Sequence, residues 1–203
     1  DSPPETTKRS LLRLPSYPPG AFAFGLAILL AWATVGLVIA ILPSALQRHG
    51  LSSWSGFATF GICSGGVLFQ PWARKYTPRN ATLLGLLILP IAYALIAWGA
   101  VQGSLAAVLL GTVAASSACY GFIYLGGLSG VLATAGADAS QASAGYFLLA
   151  YIGFSLPVIT TGILIDTVGH TLALTLFGCA LLCGVITTMI LLRRAPVIDG
   201  HAR

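Results

Sequence analysis

Charge is what this chain has least of. Asp, Glu, Lys and Arg make up 7% of its 203 residues while 57% are hydrophobic, whereas an ordinary soluble domain is about a quarter charged. A water-soluble fold of this composition has no means of covering its surface, so that class is excluded. Carboxylates are scarcest of all. Asp1, Glu5, Asp138, Asp166 and Asp199 are the full set, and no Ser, Cys or acid arrangement with catalytic spacing appears. The G-x-x-x-x-G-K-S/T loop that cradles nucleotide phosphates is absent too. Residues 1 to 20 are polar and Pro-rich with no apolar core, which excludes a signal peptide and reads as a linker cut from a longer chain.

Cysteine is also sparse. Cys63, Cys119, Cys179 and Cys183 all fall in apolar stretches, where cysteine acts as a small apolar residue. Cys179 and Cys183 are spaced i, i+4, yet no His or acid nearby completes a metal site. The sequence therefore implies no metal and no cofactor.

What the chain has is apolar length. A bilayer core about 30 Å thick needs roughly 20 apolar helical residues to cross it. Six stretches qualify, at about 22 to 43, 55 to 71, 81 to 100, 104 to 127, 141 to 165 and 171 to 192. None carries Asp, Glu, Lys, Arg or His in its central part. The expected fold is an all-α, multi-pass membrane protein, with a transmembrane domain over residues 21 to 195 and a tail over 196 to 203.

The net charge of +5 does not point to nucleic acid, because the basic residues are not gathered on one soluble face. They sort by loop instead. Lys8, Arg9, Arg13, Arg74, Lys75, Arg79, Arg193, Arg194 and Arg203 fall on one side of the expected membrane and only Arg48 on the other. The positive-inside rule then places both termini in the cytoplasm and the protein in the cytoplasmic (inner) membrane.

A search for internal similarity matches Gly66-Val-Leu-Phe-Gln-Pro-Trp-Ala-Arg74 with Gly162-Ile-Leu-Ile-Asp-Thr-Val-Gly-His170, 96 positions apart. That offset lays the second stretch over the fifth and the third over the sixth. Since three is odd, two triplets must run in opposite senses, giving a 3+3 inverted repeat. Pro90 interrupts the third stretch, and Gly153, Pro157 and Gly162 make the fifth the expected place of bending or gating. The small residues of Gly61-Ile-Cys-Ser-Gly65 and Gly126-Gly-Leu-Ser-Gly130 allow close helix packing.

The segment Gly66 to Lys75, GVLFQPWARK, resembles the cytoplasmic loop signature G-x-x-x-D-R-x-G-R-R/K of the major facilitator superfamily. Gly66, Arg74 and Lys75 match; Gln70 stands in place of the acid, Pro71 in place of the first Arg and Ala73 in place of the second Gly. The position of the loop carries over, and its charge-relay role does not. Ala144 to Leu174 resembles the eleventh helix of bacterial members, with an aromatic residue, Gly153-x-x-x-Pro157 and a Gly162-x-x-x-Asp166-x-x-Gly169 exit. The resemblance covers residues 20 to 194. It implies helices seven to twelve of a twelve-helix secondary transporter, residues 1 to 20 being the end of the central linker.

It also implies that the first and fourth helices line the cavity, the second and fifth flank it, and the third and sixth face lipid. Ser116, Ser117, Tyr120 and Tyr124 then form a helix-face stripe suited to a substrate. The competing reading has the serines bonding back to their own helix and the tyrosines reaching neighbours. Trp32, at mid-membrane, is expected in the cavity or at an interhelix contact. Tyr146, Tyr151, Thr160 and Thr161 contribute to the cavity or to packing. Asp166 and His170 are placed at the water interface. An intramembrane acid is the usual marker of proton coupling, and none stands at mid-depth. The uncharged face favours small organic or amphipathic solutes over strongly ionic ones.

Gly127-Leu-Ser129-Gly130 and His170 mimic the Ser-His pair of an intramembrane protease. The expected topology puts these residues a membrane apart, beyond the roughly 3 Å that the chemistry needs, so a non-enzyme is expected. The expected partners are membrane lipid, a small-molecule substrate, and an N-terminal six-helix half or a second copy. The alternatives are a self-associating half-transporter and a non-transporting scaffold subunit on the same fold.

Overall fold

The structure, a computed structural model, describes residues 17–194. The tail over 196 to 203, most of the linker, and the basic residues Lys8, Arg9, Arg13 and Arg203 lie outside them. Among the described residues the chain is helical throughout, with no strand. Four continuous stretches are long and apolar enough to cross a membrane: Phe22–Ser44, Pro78–Gln102, Leu105–Val168 and His170–Arg194.

Helix α1 is Phe22–Gln47. The rod α2 begins as Ser55–Ser64, tightens to a 3₁₀ segment at Gly65–Phe69 and ends in the short turn Gln70–Ala73. Helix α3 is Pro78–Gln102. The rod α4 runs through Leu105–Ser116, a π-wound segment Ser117–Ile123, and Tyr124–Ala135. Helices α5, Ala139–Val168, and α6, His170–Arg194, complete the fold.

Local chemistry sets the boundaries. Thr77 caps α3, its side chain accepting from the Asn80 N–H at 3.3 Å, and Pro78 follows at the first helical position, where a missing N–H costs nothing. Gly103, with φ of +71°, ends the same helix in the left-handed conformation that glycine tolerates best. The 64-residue stretch Leu105–Val168 would be about 96 Å long if straight. Instead it doubles back around Gly136–Asp138, so that α4 and α5 pack on each other. Rod α4 extends well past the expected residue 127, because the small polar residues Ser129 and Thr134 dilute its hydropathy without breaking the helix; Thr134 bonds back to Val131 O at 2.8 Å.

Helix α1 is the centre of the bundle. Ala27, Ile28, Ala31, Val35, Leu37 and Val38 are buried, and α1 packs on α5, α6 and parts of α2, α3 and α4. Its approach to α5 is limited by backbone. A Cβ on Gly36 would stand 2.6 Å from the Phe154 carbonyl oxygen, and one on Gly153 would collide with the Leu29 carbonyl. Rods α2 and α4 meet in the same way, since a Cβ on Gly66 would stand 2.7 Å from Ser116 O and collide with the Tyr120 side chain. The 3₁₀ and π segments lie against each other at this crossing.

The end of the linker is ordered onto α1. Tyr17 donates to Ala21 O at 3.0 Å, and burial holds its phenol well above the usual tyrosine range. Helix α5 is continuous through Gly153, Pro157 and Gly162. The departures from α geometry fall in α2 and α4 instead. Gly153 serves close approach, while Gly162 has nothing within 4 Å of a built Cβ.

That contrast is testable in the detergent-purified full chain. Gly153→Ala should destabilise by about 1–3 kcal/mol through overpacking, and Gly162→Ala should be neutral or slightly stabilising through helix propensity. Thermal unfolding of both variants decides; equal effects would mean that the α1–α5 contact is looser than described.

Candidate functional site

The sequence-selected aromatic residues come together where α1 meets α4. The Trp32 ring lies 4.8 Å from that of Tyr120, tilted by 50°, and 6.1 Å from that of Tyr124, nearly parallel at 13°. Tyr124 in turn lies 6.2 Å from Phe147 of α5. All three of Trp32, Tyr120 and Tyr124 are half-buried and Phe147 is exposed, so the cluster forms part of an outward-looking face. Aromatic pairs at these distances contribute about 0.5–1.5 kcal/mol each beyond area burial. They fix the ring planes as a rigid, amphipathic platform.

The serines behave differently from the tyrosines beside them. Ser116 is buried and donates to Ile62 O at 2.7 Å, tying α4 to α2. Ser117 bonds back to Ala114 O at 2.8 Å. Both serines are therefore used within the bundle, while Tyr120 and Tyr124 remain on the open face. Tyr151, one turn on from Phe147, is 67% exposed and extends the same α5 face without ring contact to Trp32. Thr160 bonds back to Leu156 O at 2.9 Å, and Thr161 is buried. Pro157 lines a separate groove of 330 Å³ between α5, α6 and α1, with Leu29, Thr160 and Phe177.

Three further side chains anchor the π-wound part of α4. Tyr146, fully buried, directs its hydroxyl to both Ile123 O at 3.2 Å and Tyr124 O at 3.3 Å. The Cys119 thiol lies 3.4 Å from Ala31 O of α1. Cys63 of α2 stands beside the Tyr120 hydroxyl. A π segment changes the carbonyl partners of a helix and recurs at functional positions; here it is met by a donor from α5, Tyr146, and by an acceptor from α1, Ala31 O. Among the described residues, no buried side-chain nitrogen or oxygen lacks a partner.

Phe147 and Tyr146 are the residues that sequence reasoning underused. Their signal was present in the consecutive pair Tyr146-Phe147 followed one turn later by Tyr151, an aromatic face and an inward tyrosine on the same helix.

The loop residues and titratable groups divide between the ends of the bundle. Arg74 and Lys75 close the turn after α2, Lys75 N donating to Trp72 O at 3.0 Å, and Gln70 begins the last helical turn of that rod. Arg79, at the start of α3, donates to the carbonyl of Arg193, at the end of α6. Arg48, Asp166 and His170 neighbour one another at the opposite end. Ser129 belongs to the first of these ends, since the adjacent Gly130 packs on Phe24 at the start of α1, and so lies far from His170. Among the described residues there is no group of three or more His, Cys, Asp or Glu placed to hold a metal ion.

No family model, curated protein or solved structure matches this chain.

The clamp on α4 yields a direct expectation. Tyr146→Phe keeps the ring but removes the donor, and should cost about 1 kcal/mol with faster amide exchange confined to residues near 117 to 124. Hydrogen exchange monitored by mass spectrometry reads this; protection unchanged in that segment would mean the π winding does not depend on Tyr146.

Proposed function

We propose that this chain is a six-span, major-facilitator-type half of a secondary transporter that moves a small organic solute by alternating access. The observation that carries the reading is the Trp32, Tyr120, Tyr124 and Phe147 platform, built from α1, α4 and α5 on one outward face. In the superfamily that the sequence resembles, the first and fourth helices of a half line the cavity. A half-buried aromatic face there is what an uncharged or amphipathic solute would stack against.

Membrane residence rests on the four long apolar stretches and on large side chains exposed along the helices, such as Leu87, Ile91, Leu156, Ile159 and Ile186. An apolar exterior of this extent suits lipid. Six crossings follow if α2 spans as one rod and Leu105–Val168 counts twice. The exposed aromatics support those boundaries: Trp72 and Tyr76 flank the turn after α2, while Trp54 and Trp98 stand near the other end. Tryptophan and tyrosine prefer the two interfaces. With Arg74, Lys75, Arg79, Arg193 and Arg194 at one end and Arg48 at the other, the first end is the cytoplasmic one.

The packing pattern supports a 3+3 repeat. Exchanging α1 with α4, α2 with α5 and α3 with α6 turns the α1–α5 contact into α4–α2 and the α1–α6 contact into α4–α3, all of which are present. In that correspondence the close-approach glycine Gly66 pairs with Gly153, 87 positions on, instead of with Gly162. Alternating access would have this half rock against a second half, with substrate shifting the balance between inward-open and outward-open states.

Topology is checked with single cysteines in a background where Cys63, Cys119, Cys179 and Cys183 are replaced by Ser. A membrane-impermeant maleimide applied to intact cells should label Ser53→Cys, and should reach Lys75→Cys and Ala137→Cys only after permeabilisation. Labelling of all three from outside would refute the six-span orientation.

Transport is checked by reconstituting the native polypeptide, with its partner half, into vesicles and measuring uptake of a neutral sugar, a neutral amino acid, a lipophilic dye and an anionic metabolite. Saturable uptake of a neutral or amphipathic probe is expected, lowered about tenfold by Trp32→Ala or Tyr120→Ala, as for loss of about 1.4 kcal/mol of binding. Trp98→Ala, remote from the platform, should leave it unchanged. Absence of saturable flux, or flux indifferent to Trp32, would favour the scaffold reading.

A further inference from the structure

The basic end of the bundle holds a feature that solute transport does not use. Arg79 opens α3 and Arg193 and Arg194 close α6, and the Arg79 guanidinium donates to the Arg193 carbonyl across the seam between these helices. That contact occupies part of the five-donor fork of Arg79 and leaves its remaining N–H groups beside two further guanidinium-bearing residues. Arg193 and Arg194 are exposed and Arg79 is half-buried. Arg74 and Lys75 stand on the same end, joined to α3 by the short turn through Tyr76 and Thr77. Among the described residues Asp138, in the α4–α5 turn, is the one carboxylate at this end.

The Arg79 contact with the Arg193 carbonyl gathers three arginine residues at one end of the α3–α6 seam, and a guanidinium fork matches the geometry of a phosphate. The depth of the seam selects the source of that phosphate. Trp72 is 54% exposed and Tyr76 49% exposed, and they flank Arg74 and Lys75 in sequence. Aromatics so placed mark the headgroup level. The arginines therefore meet the bilayer where lipid phosphodiesters are concentrated, and basic residues at this depth attract anionic lipid.

We propose that the α3–α6 seam, through Arg79, Arg193 and Arg194, binds the phosphodiester headgroup of an anionic phospholipid. The site requires only that the chain resides in a bilayer. It stands whether or not the aromatic platform moves a solute, so loss of one reading does not remove the other.

The test is native mass spectrometry of the detergent-purified full chain in mixed micelles containing equal amounts of phosphatidylglycerol and phosphatidylcholine. Retention of phosphatidylglycerol in preference to phosphatidylcholine is expected. Arg79→Gln and Arg194→Gln should each reduce that preference about fivefold, and Arg48→Gln, a charge of the opposite end, should leave it intact. Arg194→Gln leaves the Arg79 contact with the Arg193 carbonyl in place, so it decides the matter if Arg79→Gln does not fold. Equal retention of the two lipids overturns the site, as does an equal loss in all three variants. Full displacement of phosphatidylglycerol by millimolar inorganic phosphate would also overturn it, since the seam would then be a free-phosphate site.

Discussion

Glycine backbones lying against carbonyls of other helices set the spacing at the α1–α5, α2–α4 and α3–α4 crossings. Gly153 rests on Leu29 where α5 crosses α1, and Gly66 rests on Ser116 where α2 crosses α4. In a lipid surrounding, burying apolar side chains between helices gains little, because the tails outside are equally apolar. Close van der Waals approach and interhelix hydrogen bonds have to hold the helices together instead. The first is supplied by these glycines. The second is supplied by a small set of donors directed into backbone carbonyls of other helices: Ser116 to Ile62, Tyr146 to Ile123 and Tyr124, and Tyr93 to Leu174 at 2.7 Å.

This division of labour explains why an aromatic face is left over. Ser116, Tyr146 and Tyr93 each bridge two helices, are buried and have their polar atoms matched. Trp32, Tyr120 and Tyr124 instead pack ring on ring and stay half-exposed. The π winding of Ser117–Ile123 contains Ser117 and Tyr120 and alters which residues of α4 share a face. Ser116 and Ser117 turn inward while the tyrosines a turn later do not.

Much of the architecture was legible because hydropathy and length carry it. The expected starts of α1, α2, α4 and α6 fall within one residue of those observed, and the overlong α4 follows from Ser129 and Thr134 lowering the signal without stopping the helix. The pairing of Trp32 with the α4 tyrosines was half legible: the stripe came from α-helical spacing, but its partner helix did not. What sequence spacing could not give is the π segment, because a 3.6-residue period assumes the regular winding that fails there. Helix α5 runs unbroken through the three residues expected to bend or gate. Gly153, Pro157 and Gly162 look like hinge residues by type, yet glycine serves close approach as readily as flexibility. Only the neighbouring helix decides which.

The irregular segments are therefore the more informative guide to movement. In α5 the backbone is continuous across its proline. In α2 and α4 the 3₁₀ and π segments oppose each other at the Gly66 crossing, so a shift of one rod must be accommodated by the other. Tyr120 sits on that crossing with Trp32 on one side and Cys63 on the other. A change of winding there would move Tyr120 and Tyr124 relative to Trp32, without any bend in α5. Helix α1, the most buried of the long apolar helices and packed on α5, α6 and parts of α2, α3 and α4, supplies the reference against which such a shift acts.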